Sequence, residues 1–117
     1  MNHYFAFGMN IGSDLIFPEL APAQSGKVDL YISQASITPL PTITDTACYL
    51  SFSTIGSFNI LNGNQIIYQA DPECDLDTLR LFILGSCMGV LLQQLGYVVL
   101  HGNAVSHDLQ TCSVYVG

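Results

Sequence analysis

The sequence predicts an α+β protein in which an antiparallel β meander is followed by one long helix and the start of a second sheet. Up to residue 74, short apolar runs alternate with turn signals, which is typical of strands. After residue 74, apolar residues recur at steps of three and four, which is typical of a helix. We therefore predict a β-rich module at residues 1–74 and a helix with further strands at residues 75–117.

The strands of the β-rich module are predicted from alternation and from β-branched and aromatic residues. They comprise residues 4–11, 28–33, 47–54, 58–61 and 65–69. Residues 13–26 and 37–46 each contain two prolines and are predicted to be connections, the second one a loop or an edge. Asn62 and Gly63 predict a two-residue hairpin turn with positive φ at both positions.

The long helix is predicted to begin after Asp75, which can cap it, and to end at Gly96, which can adopt the left-handed stop conformation. Its apolar face is predicted to contain Leu76, Leu79, Ile83, Cys87, Val90, Leu91 and Leu95. Residues 98–101 and 112–116 are predicted to be buried strands, with a polar turn at residues 108–111 between them.

A membrane helix is the alternative interpretation of this region. Residues 81–100 carry no formal charge, and Gly85 and Gly89 form a small-residue pattern that also occurs in packed membrane helices. However, Gln93 and Gln94 interrupt the apolar window, and the remaining segment has a length typical of a buried core helix. We therefore favour a core helix, with the glycines allowing close packing on a sheet.

The composition restricts the classes of partner. Half of the residues are apolar and only 9% are charged, so much of the surface is expected to contact either missing sequence or a partner, and self-association through exposed apolar surface is one such possibility. Lys27 and Arg80 are the two basic residues, and the formal net charge is −7. This charge argues against binding to nucleic acids and to anionic membranes, which both need clustered basic side chains.

The cysteines and the N-terminal residues indicate a cytoplasmic protein. Residues 1–20 lack the basic start and the uninterrupted apolar run of a secretory signal. The four cysteines are widely spaced without a C-x-x-C pair, so we expect reduced thiols in the core and no metal site. They are Cys48, Cys74, Cys87 and Cys112.

Few residue patterns indicate chemistry by themselves. An acidic group at the helix start, Glu73, Asp75 and Asp77, could bind Mg²⁺ or act as acid and base, but helix capping explains it better. His107 beside Asp108 is typical of a solvated turn. No intact phosphate-binding loop, hydrolase elbow or zinc-protease motif occurs.

The segment LHGNAVSHDLQTCSVYVG, residues 100–117, resembles the approach to the phosphate-binding loop of the HPr serine kinase/phosphorylase family. It is most similar to the smaller HPr-kinase-like proteins of bacterial peptide-tailoring clusters. Leu100-His101-Gly102 matches the first strand of that approach, and residues 114–117 match the strand that delivers the first glycine of G-x-x-x-x-G-K-[ST]. The helix at residues 81–96 and the opening residues 4–8 are also similar.

The resemblance implies that the chain is the N-terminal part of an ATP-dependent serine kinase that acts on a protein or peptide. The strands after the helix would then be the first strands of its nucleotide-binding domain. In that family the matching histidine is catalytic, which assigns His101, and the loop's first glycine binds the nucleotide, which assigns Gly117. ATP and Mg²⁺ are implied for a full-length relative, whereas the present chain is expected to hold no cofactor.

Two functional classes remain open at this point. The chain is an N-terminal kinase fragment, inactive alone because the lysine-containing loop is missing, or it is a non-enzymatic binding or assembly module that pairs with a separate chain. From the residues alone, a histidine at a strand end is more often a buried structural residue than a catalytic one.

Overall fold

A computed structural model describes residues 1–40, 44–99, 102–105, 110 and 113–116. The fold is mixed α+β, with a seven-stranded mixed sheet, one long helix and a two-stranded sheet. The strands are β1 Asn2–Ala6, β2 Met9–Ser13, β3 Ala21–Pro22, β4 Leu30–Gln34, β5 Ala47–Phe52, β6 Gly56–Leu61, β7 Gln65–Ala70, β8 Gly102–Val105 and β9 Ser113–Val116. The helix, α1, comprises Leu76–Gln94.

The large sheet has the strand order β3-β1-β2-β4-β7-β6-β5. Strands β5, β6 and β7 form the predicted antiparallel meander. The prediction of an entirely antiparallel sheet is wrong, because β4 pairs in parallel with both β2 and β7. Parallel neighbours need long crossover connections, and the segments on both sides of β4 provide them. Local sequence patterns do not reveal such distant pairings.

The predicted single strand at residues 4–11 is wrong, because it is an antiparallel hairpin. Ala6 pairs with Met9 across a two-residue turn in which Phe7 has φ 55° and Gly8 has φ 73°. Positive φ at both positions fits the twist of a hairpin, but a phenylalanine is rarely found there. His3 lies in β1 of this hairpin and pairs with Gly12.

The turn at Asn62 and Gly63 is confirmed in its conformation, with φ 57° and 65°. Leu61 pairs with Gln65, so the loop contains three residues and not the predicted two. The hairpin between β5 and β6 also has a three-residue loop, and Thr54 in this loop has φ 65°. A β-branched residue in the left-handed region is strained, which costs roughly 1 kcal/mol or more.

Replacing Thr54 with glycine is expected to stabilise the protein by about 1 kcal/mol, because glycine adopts positive φ without a steric cost. Urea unfolding of the variant and the parent measures this difference. Ser53→Gly is the matched control, since Ser53 is a loop neighbour without positive φ. That control is expected to be neutral or slightly destabilising, and an equal or lower stability of Thr54→Gly would contradict the prediction.

Both predicted ends of the helix are confirmed. The carboxylate of Asp75 accepts a hydrogen bond from the backbone N–H of Thr78 at 2.7 Å. Gly96 has φ 91°, and the N–H of Tyr97 donates to the carbonyl of Leu92 at 3.0 Å. This pair of features is the Schellman arrangement that ends many helices. The turn Ile83–Cys87 is a π-helical turn, which the periodicity does not predict.

The buried face of α1 differs in part from the predicted face. Leu79, Ile83, Cys87, Met88 and Leu91 are buried. Leu76 and Leu95, by contrast, are 57% and 45% exposed because they lie at the two ends of the helix.

The predicted role of the helix glycines is wrong. Gly85 is exposed, and a Cβ at this position would meet no heavy atom within 4 Å. At Gly89 a Cβ would meet only Val99, at 4.0 Å. Neither glycine is therefore needed for close packing of α1 on the sheet.

One hydrophobic cluster joins the helix to the large sheet. Leu30 and Ile32 in β4, as well as Phe58 and Ile60 in β6, contribute alternate residues to it. Phe17 also belongs to this cluster and is fully buried, although it lies in the predicted surface connection. The division of the chain at residue 74 stays a prediction.

The segment after the helix begins differently from the prediction. Val98 and Val99 are not in a strand and are 86% and 40% exposed, because the chain has just left the helix through Gly96. The next strand is β8, which pairs antiparallel with β9. Strand β9 confirms a strand at residues 113–116, and Cys112 lies outside the described residues. The predicted burial of this strand is wrong at Val114, whose side chain is 59% exposed.

Candidate functional site

The two predicted site residues, His101 and Gly117, lie outside the described residues, as do His107 and Asp108. Their chain neighbours are described. The antiparallel register of the β8–β9 hairpin runs from the pair Val105–Ser113 to the pair Gly102–Val116. The pair Gly102–Val116 forms one end of this hairpin, and these two residues are the chain neighbours of His101 and Gly117.

The acidic group at the helix start has structural partners. Asp75 caps the helix, and its hydrogen bond from Thr78 lowers the pKa of its carboxyl group. Asp77 forms an ion pair with Arg80. The N–H of Glu73 donates to a carboxylate oxygen of Asp71 at 2.9 Å. These contacts confirm helix capping by Asp75, and among the described residues no group of three metal-binding side chains occurs.

Three of the four cysteines are described, and all three are free thiols. Cys48 and Cys87 are buried, as predicted for core residues, and Cys74 is partly buried. Burial raises the pKa of the Cys87 thiol to about 12, and a smaller contribution comes from Cys48. Since the thiolate is the reactive form, Cys87 is suited to packing and not to nucleophilic chemistry.

Asp14 and Tyr68 form a polar link that the sequence did not reveal. The Tyr68 hydroxyl donates to Asp14 Oδ1 at 2.7 Å, and the N–H of Gln34 donates to Asp14 Oδ2 at 2.7 Å. Burial, followed by the hydrogen bond to Asp14, raises the pKa of the Tyr68 phenol. The link connects the end of β2 to β4 and β7, so its role is to hold the parallel strands in register.

The side chain of Gln94 links the end of α1 to the large sheet through hydrogen bonds. Its side-chain amide donates to the carbonyl of Ile60 at 2.8 Å and accepts from the N–H of Gly63 at 2.9 Å. By length and composition α1 could cross a membrane, a property it shares with core helices of soluble proteins. The contacts of Gln94 and the buried face of α1 show how this helix packs on the sheet within the protein.

A shallow apolar groove lies beside the end of the helix. It has a volume of about 390 Å³. We call it the apolar groove, and it is lined by Phe7, Leu92, Tyr97, Val98 and Val99. Val98 is 86% exposed, Tyr97 63% and Phe7 48%. Contiguous apolar residues at the surface are typical of protein interaction sites.

A second groove, of about 380 Å³, lies at the β5–β6 hairpin and is mainly polar. Its walls include Ser51, Ser53, Ser57, Gln69 and Asp71. Gln69 already accepts a hydrogen bond from the N–H of Ile37 at 2.9 Å. The hydroxyl groups can donate and accept hydrogen bonds, but a nucleophile with an adjacent base is not found among these side chains.

No protein-family model, curated protein or solved structure matches the chain.

Proposed function

We propose that this chain is the N-terminal part of an HPr-kinase-like, ATP-dependent serine kinase that phosphorylates a protein or peptide. The proposal begins from the resemblance of residues 100–117 to the approach of that family's phosphate-binding loop. In the proposal the large sheet and α1 form the scaffold, β8 and β9 begin the nucleotide-binding domain, and the protein acts in the cytoplasm of a bacterium.

The pairing of Gly102 with Val116 is the observation that best supports this proposal. Paired Cα atoms in an antiparallel ladder are about 4.5–5.5 Å apart, and consecutive Cα atoms are about 3.8 Å apart. His101 precedes Gly102, and Gly117 comes directly after Val116. The chain neighbours of both proposed site residues therefore lie at the same end of one hairpin, which is compatible with a shared phosphate site.

Their proposed roles follow from the chemistry of phosphoryl transfer. An imidazole close to the transferred phosphate can accept or release a proton near neutral pH. A glycine that opens a phosphate-binding loop allows backbone N–H groups to approach the phosphate oxygens. The resemblance implies ATP and Mg²⁺ for a full-length relative, because residues 1–117 do not contain the G-x-x-x-x-G-K-[ST] sequence whose lysine and N–H groups bind the phosphates.

The chain of 117 residues is expected to show no saturable ATP binding in isothermal titration calorimetry up to millimolar ATP. The physical reason is that phosphate binding needs the lysine and the N–H groups of a complete loop. Micromolar binding by this chain would show that residues 1–117 contain a nucleotide site that the proposal does not include.

The kinase proposal itself is tested on the downstream reading frame. It predicts a G-x-x-x-x-G-K-[ST] sequence that begins at Gly117. In the protein encoded by that frame, His101→Gln is expected to reduce kcat by about 100-fold or more without changing Tm. His3→Gln is the matched control, because His3 lies in β1 of the large sheet. Equal activity of the two variants would exclude the catalytic role.

A non-enzymatic binding or assembly module is the second candidate, and the exposed apolar groove favours it. A surface of this kind can pair with a separate chain. The two candidates predict different sequences after residue 117, because an independent module needs no phosphate-binding loop. A downstream frame without the loop sequence would therefore favour the module.

A further inference from the structure

The two edges of the large sheet differ strongly. The β3 edge is a two-residue strand that contains Pro22, which has no N–H to offer to a further strand. The β5 edge has six residues, ACYLSF, without a charge or a proline. Natural sheets usually protect an edge with lysine, proline, a bulge or a covering segment, since an open edge pairs with other chains.

The register shows which backbone groups of β5 point away from the sheet. The N–H of Asn62 donates to the carbonyl of Thr46 at 2.7 Å, so the groups of Thr46 face β6. In an antiparallel strand these directions alternate, which turns the N–H and C=O groups of Ala47, Tyr49 and Ser51 outward. Ala47 is already paired with Thr44. Among the described residues, no partner strand covers Tyr49 and Ser51.

The sequence around this edge is free of charge. Residues 46–70, which contain β5, β6 and β7, have no Asp, Glu, Lys or Arg, although the chain has a net charge of −7. Pairing of two copies through β5 therefore brings no charged side chains of these three strands together. The acidic residue nearest in sequence to β5, Asp45, lies at one end of the strand.

We propose that the β5 edge is the interface of a symmetric homodimer, in which β5 of a second copy pairs antiparallel with it. A two-fold axis at Leu50 places Tyr49 opposite Ser51 of the second copy, and Ser51 opposite its Tyr49. These residues have outward-facing groups on both copies, so about four backbone hydrogen bonds form. The same axis keeps the two Asp45 carboxylates at opposite ends of the paired strands.

This pairing is self-complementary, because each copy offers the same edge in the same register. Leu50 is partly buried against the core cluster, and the axis brings it beside its counterpart on the helix side of the joined sheets. The proposal does not depend on the kinase resemblance. It also differs from pairing through the apolar groove, which lies at Phe7 and the segment after the helix.

Sedimentation velocity of the chain over a range of concentrations tests the dimer. We expect a reversible monomer–dimer equilibrium that tightens with salt, because salt screens the repulsion between two acidic copies. Amide hydrogen exchange by NMR provides a local measure. The Tyr49 and Ser51 amides are expected to become protected as concentration rises, whereas a monomer at every concentration would overturn the proposal.

Ser51→Lys and Ser51→Pro are expected to weaken dimerisation by about tenfold or more, since a lysine or proline blocks an edge. Ser51 is exposed, and circular dichroism verifies that each variant folds. Ser33→Lys is the matched control, because Ser33 is exposed on the central strand β4. Both lysine variants reduce the net negative charge equally, so loss of dimer only in Ser51→Lys identifies the edge.

The remaining outcomes overturn the proposal. A dimer that persists in Ser51→Lys but dissociates in Val98→Asp would place the interface at the apolar groove. Equal loss of dimer in Ser51→Lys and Ser33→Lys would show that the edge is not the determinant. Protection of the Tyr49 and Ser51 amides that does not change with concentration would indicate that another part of the same chain covers β5.

Discussion

Replacing Phe17 with alanine is expected to reduce the free energy of unfolding by about 3–5 kcal/mol. The Phe17 side chain is fully buried, and its ring meets the ring of Tyr4 edge-on at a centroid distance of 6.0 Å. The Phe17 N–H also donates to the Tyr4 hydroxyl at 2.9 Å. Removing the ring therefore leaves a cavity between an otherwise irregular segment and the β1–β2 hairpin, which backbone shifts fill only in part.

Urea unfolding measures this loss, and Phe5→Ala is the control. Phe5 lies in β1 but is 53% exposed, so its truncation is expected to change stability by about 0.5 kcal/mol or less. Phe17→Leu should show an intermediate loss, because it retains most of the buried volume. A Phe17→Ala loss as small as that of Phe5→Ala would show that residues 14–20 do not contribute to the core.

The second large effect is expected at Gly56, where alanine should cost about 3 kcal/mol or more. Gly56 has φ 150°, which L-residues with a side chain rarely adopt. A Cβ at this position would lie 2.5 Å from the carbonyl oxygen of Gln69 and 3.1 Å from Cα of Ala70. Both obstacles are backbone atoms of the paired strand β7, so they cannot rotate away.

Gly26→Ala is the control for Gly56→Ala. A Cβ at Gly26 would meet no heavy atom within 4 Å, and we expect a change within about 0.5 kcal/mol, or a slight gain. Thermal unfolding of both variants, followed by circular dichroism, gives the comparison. Similar melting temperatures for the two variants would mean that the β6–β7 pairing adjusts to a side chain at Gly56.

The sequence predicted the parts of this fold that depend on neighbouring residues. The β5–β6–β7 meander, the cap at Asp75 and the stop at Gly96 all follow from local chemistry. The turn at Phe7 and Gly8 was missed because a phenylalanine at positive φ gives no turn signal. The burial of Phe17 is not predicted, because an irregular segment that contains prolines has no regular spacing of apolar residues.

The remaining differences arise from tertiary contacts. The parallel pairings of β4 depend on residues far apart in sequence, so alternation along the strand predicts its buried face but not its neighbours. The exposure of Val98 is not predicted, because an apolar β-branched residue favours a buried strand whether or not the folded chain covers it. For the candidate site, the family resemblance predicts His101 and Gly117 as site residues. The described structure shows the β8–β9 hairpin, whose end contains their chain neighbours Gly102 and Val116.

The position of β4 has a consequence for the order of assembly. On one side of it, β1, β2 and β3 are near neighbours in sequence, and on the other side β5, β6 and β7 are as well. Each set can close through short loops at a low entropic cost, whereas β4 joins them by parallel contacts alone. We therefore expect two rapidly formed halves and a slower step in which the intervening strand docks between them.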